Sequence, residues 1–161
     1  MAHSSPRLYV HQTLGPGAAI TFTPKQAHYL RNVMRLNAKS SVIVFNGRHG
    51  EWQVDQLNLA QSQANGLVTE KIRNQQQLNG PDLYFAPVKK AGTDFIASKA
   101  TELGACSLNP IITDFTSTVR VNQERILANA KEAAEQCGRL DIPRVGAPTR
   151  LQDVLGMWPG S

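Results

Sequence analysis

The chain has 161 residues, of which 41% are hydrophobic and 18% charged. This globular composition excludes wholesale disorder and fits one ordinary domain or two small ones. No apolar run approaches the roughly 18 residues that a membrane span needs, and the first residues lack the apolar stretch of a secretory signal. Cys106 and Cys137, the two cysteines, are too few for a disulfide framework and lack metal-ligand spacing. We therefore expect a cytoplasmic protein with no membrane segment and no metal ion.

The net charge of +5 is confined to the first half of the chain. Residues 1–80 hold eight Lys or Arg against three acids, together with all four histidines, whereas residues 81–161 hold nine basic and nine acidic residues. This asymmetry indicates a module that faces a polyanion, joined to a neutral module. A basic domain without such a partner is the alternative, and charge alone leaves it open.

Short strands separated by Gly and Asn dominate the first half, which is typical of a small barrel or a compact antiparallel sheet. The predicted strands are residues 8–10, 19–22, 41–45, 51–57 and 66–72. Asn46-Gly47 directly follows an apolar run, and this pair predicts a hairpin between the third and fourth strands.

One helix is predicted between the second and third strands. Thr23 and Gln26 form a capping box around Pro24, which suits the first helical position. At the α-helical period one side gathers apolar residues and another gathers potential cations, namely Ala27, Leu30 and Met34 on the first side and His28, Arg31 and Arg35 on the second. The cations are candidates for polyanion contact, and a solvated surface is the alternative.

Beyond a polar stretch that ends in Gly80-Pro81, the predicted linker, strands alternate with helices. This alternation indicates βαβ units and a parallel sheet. The predicted strands are residues 83–88, 108–112 and one that begins at Val145, and the predicted helices are residues 93–103, 123–136 and 151–155. Asn122 and Gly138 are the predicted cap and stop of the middle helix, whose apolar stripe includes Cys137 as a core thiol.

Two pairs of charged residues in the second half are candidates for substrate contact. Lys89 and Lys90 follow a predicted strand, at the edge where parallel sheets bind ligands, although solvated lysines fit equally well. Lys99 and Glu102 lie three residues apart on a helix, and such a surface pair is structural more often than catalytic.

A third candidate cluster lies where the middle helix ends. Gln136 offers a donor and an acceptor, and Arg139 follows the predicted stop, where an arginine suits phosphate or carboxylate recognition. The chain contains no P-loop, no nucleophile elbow and no HExxH zinc motif.

Five strings from Arg7 to about Pro148 carry a family resemblance by their order and spacing. They are Arg7-Leu-Tyr-Val10, His28-Tyr-Leu-Arg-Asn-Val-Met-Arg35, Val44-Phe-Asn-Gly47, Lys99-Ala-Thr-Glu-Leu-Gly104, and Glu132-Ala-Ala-Glu-Gln-Cys-Gly-Arg139 followed by Pro143. In these strings the chain resembles the RsmE family of 16S ribosomal RNA uridine-N3 methyltransferases.

The resemblance implies an α+β chain of two domains. These are a PUA-like β-barrel that binds RNA at residues 1–75 and, after a linker at 76–81, the first part of a SPOUT-type α/β methyltransferase domain at 82–161. In the family this second domain is knotted and dimeric. The implied reaction transfers a methyl group from S-adenosylmethionine to N3 of a uridine in the 16S rRNA of the small ribosomal subunit.

On this basis two sets of residues are assigned. The candidates for RNA contact are Arg7, His28, Arg31, Arg35 and Arg48, and the candidates near the substrate are Lys89, Lys90, Lys99, Glu102, Gln136 and Arg139. Uracil N3 carries a proton that a base must remove or whose loss a cation must stabilise, and no residue is assigned to that role.

Two strings of the family's methyl-donor site, Gly-Pro-Glu-Gly-Gly and Leu-Arg-x-Glu-Thr-Ala, do not occur among the 161 residues. The chain is therefore predicted to be a truncated member that keeps its RNA contacts but has no donor site and no activity alone. The alternative is a non-catalytic RNA-binding module whose α/β half serves dimerisation. A small-molecule α/β enzyme is disfavoured by the one-sided charge.

Overall fold

The computed structural model describes residues 5–60, 63–76, 79–116 and 120–158. The chain divides into two compact units, Met1–Gln77 and Leu78–Ser161, and each unit has its own hydrophobic core. Among the described residues, no helix combines the length and the apolar character needed to cross a bilayer.

The first unit is built on a five-stranded mixed sheet. Its strands are β1 (Arg7–Tyr9), β2 (Ala19–Phe22), β3 (Val42–Phe45), β4 (Glu51–Leu59) and β5 (Ala64–Arg73), in the order β1-β3-β4-β5-β2. The β1 and β3 strands are parallel, and the other neighbours are antiparallel. All five predicted strands are present, and β4 and β5 extend beyond their predicted ends.

Alternation along these strands produces the first core. Completely buried side chains come from three strands, Ile20 on β2, Val42 and Val44 on β3, and Val54 on β4, because successive side chains of a strand point to opposite faces. The predicted hairpin joins β3 to β4 through a loop in which Gly47 adopts a φ of 78°. Glycine reaches this left-handed conformation without the steric cost that a side chain adds.

The helix between β2 and β3 begins as predicted but ends earlier. The Gln26 backbone N–H donates to Thr23 Oγ1 at 3.3 Å, and the Thr23 N–H donates to Gln26 Oε1 at 3.0 Å, which completes the capping box. The α-helix α1 covers Pro24–His28, and a π-helical turn, Tyr29–Val33, follows it. The expectation of an α-helical period up to Arg35 was wrong because the π turn widens the helix, and Arg35 itself has a φ of 53°.

The second unit contains a parallel sheet with helices. The β6 (Asp82–Phe85), β7 (Ser107–Ile112) and β8 (Arg144–Val145) strands lie side by side, and β9 (Thr149–Arg150) pairs with the end of β7. The helices are α2 (Lys90–Glu102), α3 (Gln123–Cys137) and α4 (Leu151–Gly156). The two units together confirm the predicted α+β class.

Two differences from the predicted elements have local causes. The β6 strand ends at Phe85 instead of residue 88, since Pro87 has no N–H to donate to a neighbouring strand. The Cys137 thiol is exposed instead of lying in the core. The buried apolar stripe of α3 ends at Ala134, and the next buried apolar side chain is Leu140, after the turn at Gly138.

Close packing fixes the start of the second unit. The Gly80 N–H donates to Cys106 Sγ at 3.0 Å, and a Cβ at position 80 would lie 1.9 Å from the Gly104 carbonyl oxygen. Gly80, the last but one residue of the predicted linker, therefore belongs to the packed part of this unit.

Candidate nucleic-acid interface and substrate residues

The first 50 residues of the chain contain no acid. They hold six Lys or Arg and four His, and Glu51 is the first carboxylate. No carboxylate side chain therefore lies on α1, on the π turn or in the loop before β4. A surface with no negative charge attracts polyanions and raises their local concentration.

Three of the predicted RNA contacts lie together on α1 and the residues that follow it. His28 ends α1 and is exposed, Arg31 is half-buried in the π turn, and Arg35 is exposed directly after it. The Arg31 guanidinium donates through Nη1 to the Ala60 carbonyl at 3.1 Å and through Nε to Asn32 Oδ1 at 3.2 Å. These bonds hold the guanidinium in one orientation.

The same turn exposes two side chains that the sequence argument missed. Tyr29 is 38% exposed and Val33 is 60% exposed, at the first and last positions of the π turn. The sequence signal that could have identified Tyr29 is its position as an aromatic residue between His28 and Arg31.

Arg48 lies in the loop between β3 and β4. It is exposed and donates through Nη2 to the His11 carbonyl at 3.3 Å. The buried Asn46 side chain accepts from the Arg48 and His49 N–H groups at 3.1 and 3.0 Å, and it donates to the Gln12 carbonyl at 2.8 Å. Asn46 thus fixes the loop that carries Arg48.

Arg7 has a different environment from the one expected of a free RNA contact. Its side chain is largely buried over the Phe45 ring, with the guanidinium carbon 4.0 Å from the ring centroid, and it donates to Glu51. Arg73 also donates to Glu51, with Nε 2.6 Å from Oε2 and Nη2 2.9 Å from Oε1. Contrary to the expectation, Arg7 therefore belongs to an Arg7–Glu51–Arg73 ion-pair cluster, whose members lie on β1, β4 and β5.

Electrostatics in this cluster favour the charged carboxylate. Burial alone raises the pKa of Glu51, but hydrogen bonds from Arg73 and Arg7, together with their positive charges, outweigh burial. The pKa of Glu51 consequently lies below its ordinary value of 4.5.

The candidates near the substrate divide between the two ends of α2. Lys89 and Lys90 are exposed where α2 begins, whereas Lys99 and Glu102 form an exposed ion pair at 2.7 Å in its last turn. Ten residues of helix separate Lys89 from Lys99, a distance of about 15 Å. The structure therefore does not bring these four residues into one site.

The remaining two candidates lie at the end of α3. Gln136 is exposed, but Arg139 is buried. Its guanidinium donates to both Asp141 oxygens, at 2.7 and 3.0 Å, and to the Thr101 carbonyl of α2 at 2.9 Å. The expectation that Arg139 is free to meet a substrate is thus corrected, since it joins the last turn of α2 to the chain after α3.

A cavity of about 550 Å³ lies along β6 and β7 in the second unit. Its lining includes Tyr84 and Asn109, which alternate with the core residues Phe85 and Leu108, so it occupies the sheet face away from that core. The lining residues are Asp82, Tyr84, Asn109, Pro110, Ile111, Gly146, Ala147, Thr149, Val154, Met157 and Trp158.

This lining does not fit the methyl donor that the resemblance implies. Asp82 is its one charged side chain among the described residues, and that carboxylate already accepts from Ser107. Asn109 donates to Ser107 at 2.7 Å. Arg144, a cation next to the lining, already faces the Asp82 carboxylate, with Nη2 3.9 Å from Oδ1. The carboxylate of S-adenosylmethionine would therefore compete with Asp82 for its partner, and burying it unpaired is unfavourable. The described residues also contain no group of three or more His, Cys, Asp or Glu arranged to hold a metal ion.

Comparisons with known proteins agree with the two units. The family described as "RNA methyltransferase domain" matches residues 74–161, which is more than half of the chain. The family described as "RNA methyltransferase PUA domain" matches residues 22–55. The second match confirms the PUA-like character predicted for the first unit.

Two curated relatives are named Ribosomal RNA small subunit methyltransferase E. The protein from Synechocystis is 36% identical over 135 residues, which cover 81% of this chain and 44% of the relative. The protein from Rickettsia conorii is 30% identical over 156 residues, which cover 92% of this chain and 62% of the relative. The chain thus spans about half the length of the curated relatives it matches.

A solved structure has the same fold. The Ribosomal RNA small subunit methyltransferase E of Neisseria gonorrhoeae, bound to S-adenosyl methionine, aligns with a TM-score of 0.85 at 22% identity. The alignment covers 98% of this chain and 67% of that chain. At this identity the likeness establishes the fold alone.

Proposed function

Since the chain belongs to the RNA methyltransferase domain family, we propose that it serves the S-adenosylmethionine-dependent methylation of N3 of a uridine in 16S rRNA. The proposal is supported by the names of the curated relatives and by the strings shared with the family. The observation that carries the RNA-binding part is the acid-free run of the first 50 residues, because phosphate contacts supply most of the affinity of such interfaces.

The two units have different tasks in this proposal. Residues 1–75 bind the RNA of the small ribosomal subunit, residues 76–81 connect, and residues 82–161 supply the first strands of a SPOUT-type catalytic domain. The side chains of the first unit that contact phosphates are His28, Arg31, Arg35 and Arg48. The protein acts in the cytoplasm as a homodimer, as the resemblance implies.

The 161 residues alone do not hold the methyl donor in this proposal. The two donor-site strings of the family are absent from the sequence, and the lining of the sheet cavity offers the donor's carboxylate no cation. What these residues do by themselves is bind RNA and position it.

A salt titration of RNA binding tests the assignment. The double variant Arg31→Ala, Arg35→Ala should bind a 16S rRNA fragment more weakly, and the slope of log K against log salt should decrease by about 1.4, since each lost phosphate contact on single-stranded RNA removes about 0.7. The matched control, Arg120→Ala with Arg150→Ala, removes two exposed arginines from the second unit and should leave affinity and slope unchanged. A double variant with the wild-type slope would exclude these two arginines from the interface.

The second candidate function is a non-catalytic RNA-binding module, which the missing donor-site strings favour. Mass spectrometry of 16S rRNA from cells that lack N3-methyluridine separates the two functions when this chain is expressed alone and, in parallel, fused to the part of the Rickettsia conorii relative that it does not cover. N3-methyluridine restored by the fusion would support the methyltransferase, and its restoration by the chain alone would contradict the proposal that the chain alone holds no donor. RNA binding without the modified nucleoside from either protein would support the module.

A further inference from the structure

The π turn presents an aromatic and an aliphatic side chain within the run of 50 residues that contains no acid. Tyr29 and Val33 are exposed, whereas Leu30 between them is completely buried in the core of the first unit. Because Leu30 anchors the turn, the exposed ring of Tyr29 is held on a fixed element.

The backbone here departs from regular geometry in two places. The Met34 N–H donates to the Tyr29 carbonyl at 2.9 Å, an i to i+5 bond, and the Leu36 N–H donates to the Leu30 carbonyl at 3.0 Å. Arg35 then adopts a φ of 53°, which L side chains rarely adopt. Single π turns and left-handed residues of this kind cluster at functional sites because their cost has to be offset by the surrounding structure.

Of the two arginines that follow Tyr29 in the sequence, Arg31 is held by hydrogen bonds. The two bonds from Arg31 to Ala60 and Asn32 use its Nη1 and Nε atoms, and neither uses Nη2. Arg35, four residues further along the chain, is exposed. Arg31 and Arg35 follow Tyr29 by two and six residues, so the ring and both guanidinium groups belong to one short segment, and a base with its flanking phosphates needs such a combination of ring and cations.

We propose that Tyr29, with Val33 beside it in the π turn, stacks an unpaired base of RNA while Arg31 and Arg35 bind the neighbouring phosphates. The inference rests on the proposed RNA-binding function and specifies the form of RNA that is bound. Every base has a π face that an aromatic ring can stack on, but in a duplex that face is covered by neighbouring bases. Cations alone attract both forms, so the ring makes the site selective for single-stranded RNA.

Fluorescence anisotropy with two RNAs of the same sequence, an unstructured single strand and its full duplex, tests the inference. Tyr29→Ala should weaken binding of the single strand about tenfold, which lies within the range of affinity lost with one stacked base. The affinity for the duplex and the salt slope for both RNAs should stay at wild-type values, because stacking releases no counterion. Tyr29→Phe, which keeps the ring, should bind the single strand as wild type does.

A 2-aminopurine in the single strand reports stacking directly. Its fluorescence should be quenched by the wild type and by Tyr29→Phe but not by Tyr29→Ala at saturation. The control variant Phe115→Ala removes a ring that is 97% exposed in the second unit and should change neither readout.

The possible failures are distinguishable. Salt-dependent RNA binding that Tyr29→Ala leaves unchanged, or weakens equally for strand and duplex, would overturn the stacking site and leave the RNA-binding function standing. A wild-type chain that binds neither RNA would overturn both.

Discussion

At the scale of single residues, Glu51 determines how two arginines of the first unit are used. It is the first acid of the chain, it is 5% exposed, and Arg7 and Arg73 both donate to it. A buried carboxylate needs such partners, because an unpaired charge in the interior is far more costly than a paired one. Arg7 therefore stabilises the sheet instead of contributing a free charge to its surface.

Glu51→Gln should lower the free energy of unfolding by about 3 kcal/mol at pH 7, since it leaves two guanidinium groups without their charged partner. The folded-state pKa of Glu51 is lowered from 4.5, so its stabilisation is present above that value and is lost as pH falls through the folded-state pKa. Urea unfolding at a series of pH values should show wild type and variant converging in acid.

The control for this prediction is Glu70→Gln, which removes an exposed carboxylate of β5 and should change stability little. A difference between wild type and Glu51→Gln that stayed constant down to pH 2 would show that Glu51 acts through packing and not through its charge.

Residues differ in how much of their role the sequence could reveal. The exposure of His28 was predictable because neighbouring residues alone define the faces of α1. The burial of Arg7 was not, because its partner Glu51 lies 44 positions away and no local pattern marks a long-range ion pair.

At the scale of elements, local signals located the starts of helices better than their ends. The capping box at Thr23 correctly predicted where α1 begins, and Gly138, with its φ of 79°, correctly predicted where α3 stops. The π turn after α1 was missed, because an insertion that widens a helix leaves no periodic signal in five residues. Contacts with the core, such as the burial of Leu30, decide its geometry.

Arg139 connects two helices of the second unit. The geometry of its guanidinium explains why an arginine and not a lysine occupies this position. Arg139→Lys keeps the charge but cannot bond both Asp141 oxygens and the Thr101 carbonyl together, so thermal unfolding should show a loss of about 2 kcal/mol. Lys99→Ala, which breaks an exposed pair on the same helix, should cost at most about 0.5 kcal/mol. Equal losses in the two variants would mean that Arg139 is a surface residue in solution.

At the scale of the whole molecule, composition predicted the division of charge and the alternation of elements predicted the fold class. The sequence could not predict how the six residues assigned near the substrate divide, with Lys89 and Lys90 where α2 begins and Arg139 bonded to its last turn. Their distances depend on the length of α2 and on the inward turn of Arg139, which are tertiary features. Of the residues assigned to RNA, His28, Arg35 and Arg48 are exposed and Arg31 is half-buried, whereas Arg7 is paired with Glu51.

Calorimetric titration of S-adenosylmethionine into the 161-residue chain should give no heat of binding. The lining of the sheet cavity has no cation among its described residues, and its Asp82 and Asn109 side chains both bond Ser107. Retained, salt-dependent RNA binding by the same preparation is the control for a folded first unit. Binding at micromolar concentration would mean that a complete donor pocket exists within these residues.

The strand order of the first unit has a consequence for its synthesis. The β5 strand leaves the ribosome last of the five strands, yet it lies between β4 and β2 in the sheet. Until it emerges, β2 has no hydrogen-bonded neighbour, because Ala19 and Phe22 pair with Leu67 and Ala64. Pairings across such sequence distances form slowly and leave strand edges open meanwhile. The nascent first unit is thus open to misassociation until residues 64–73 have emerged.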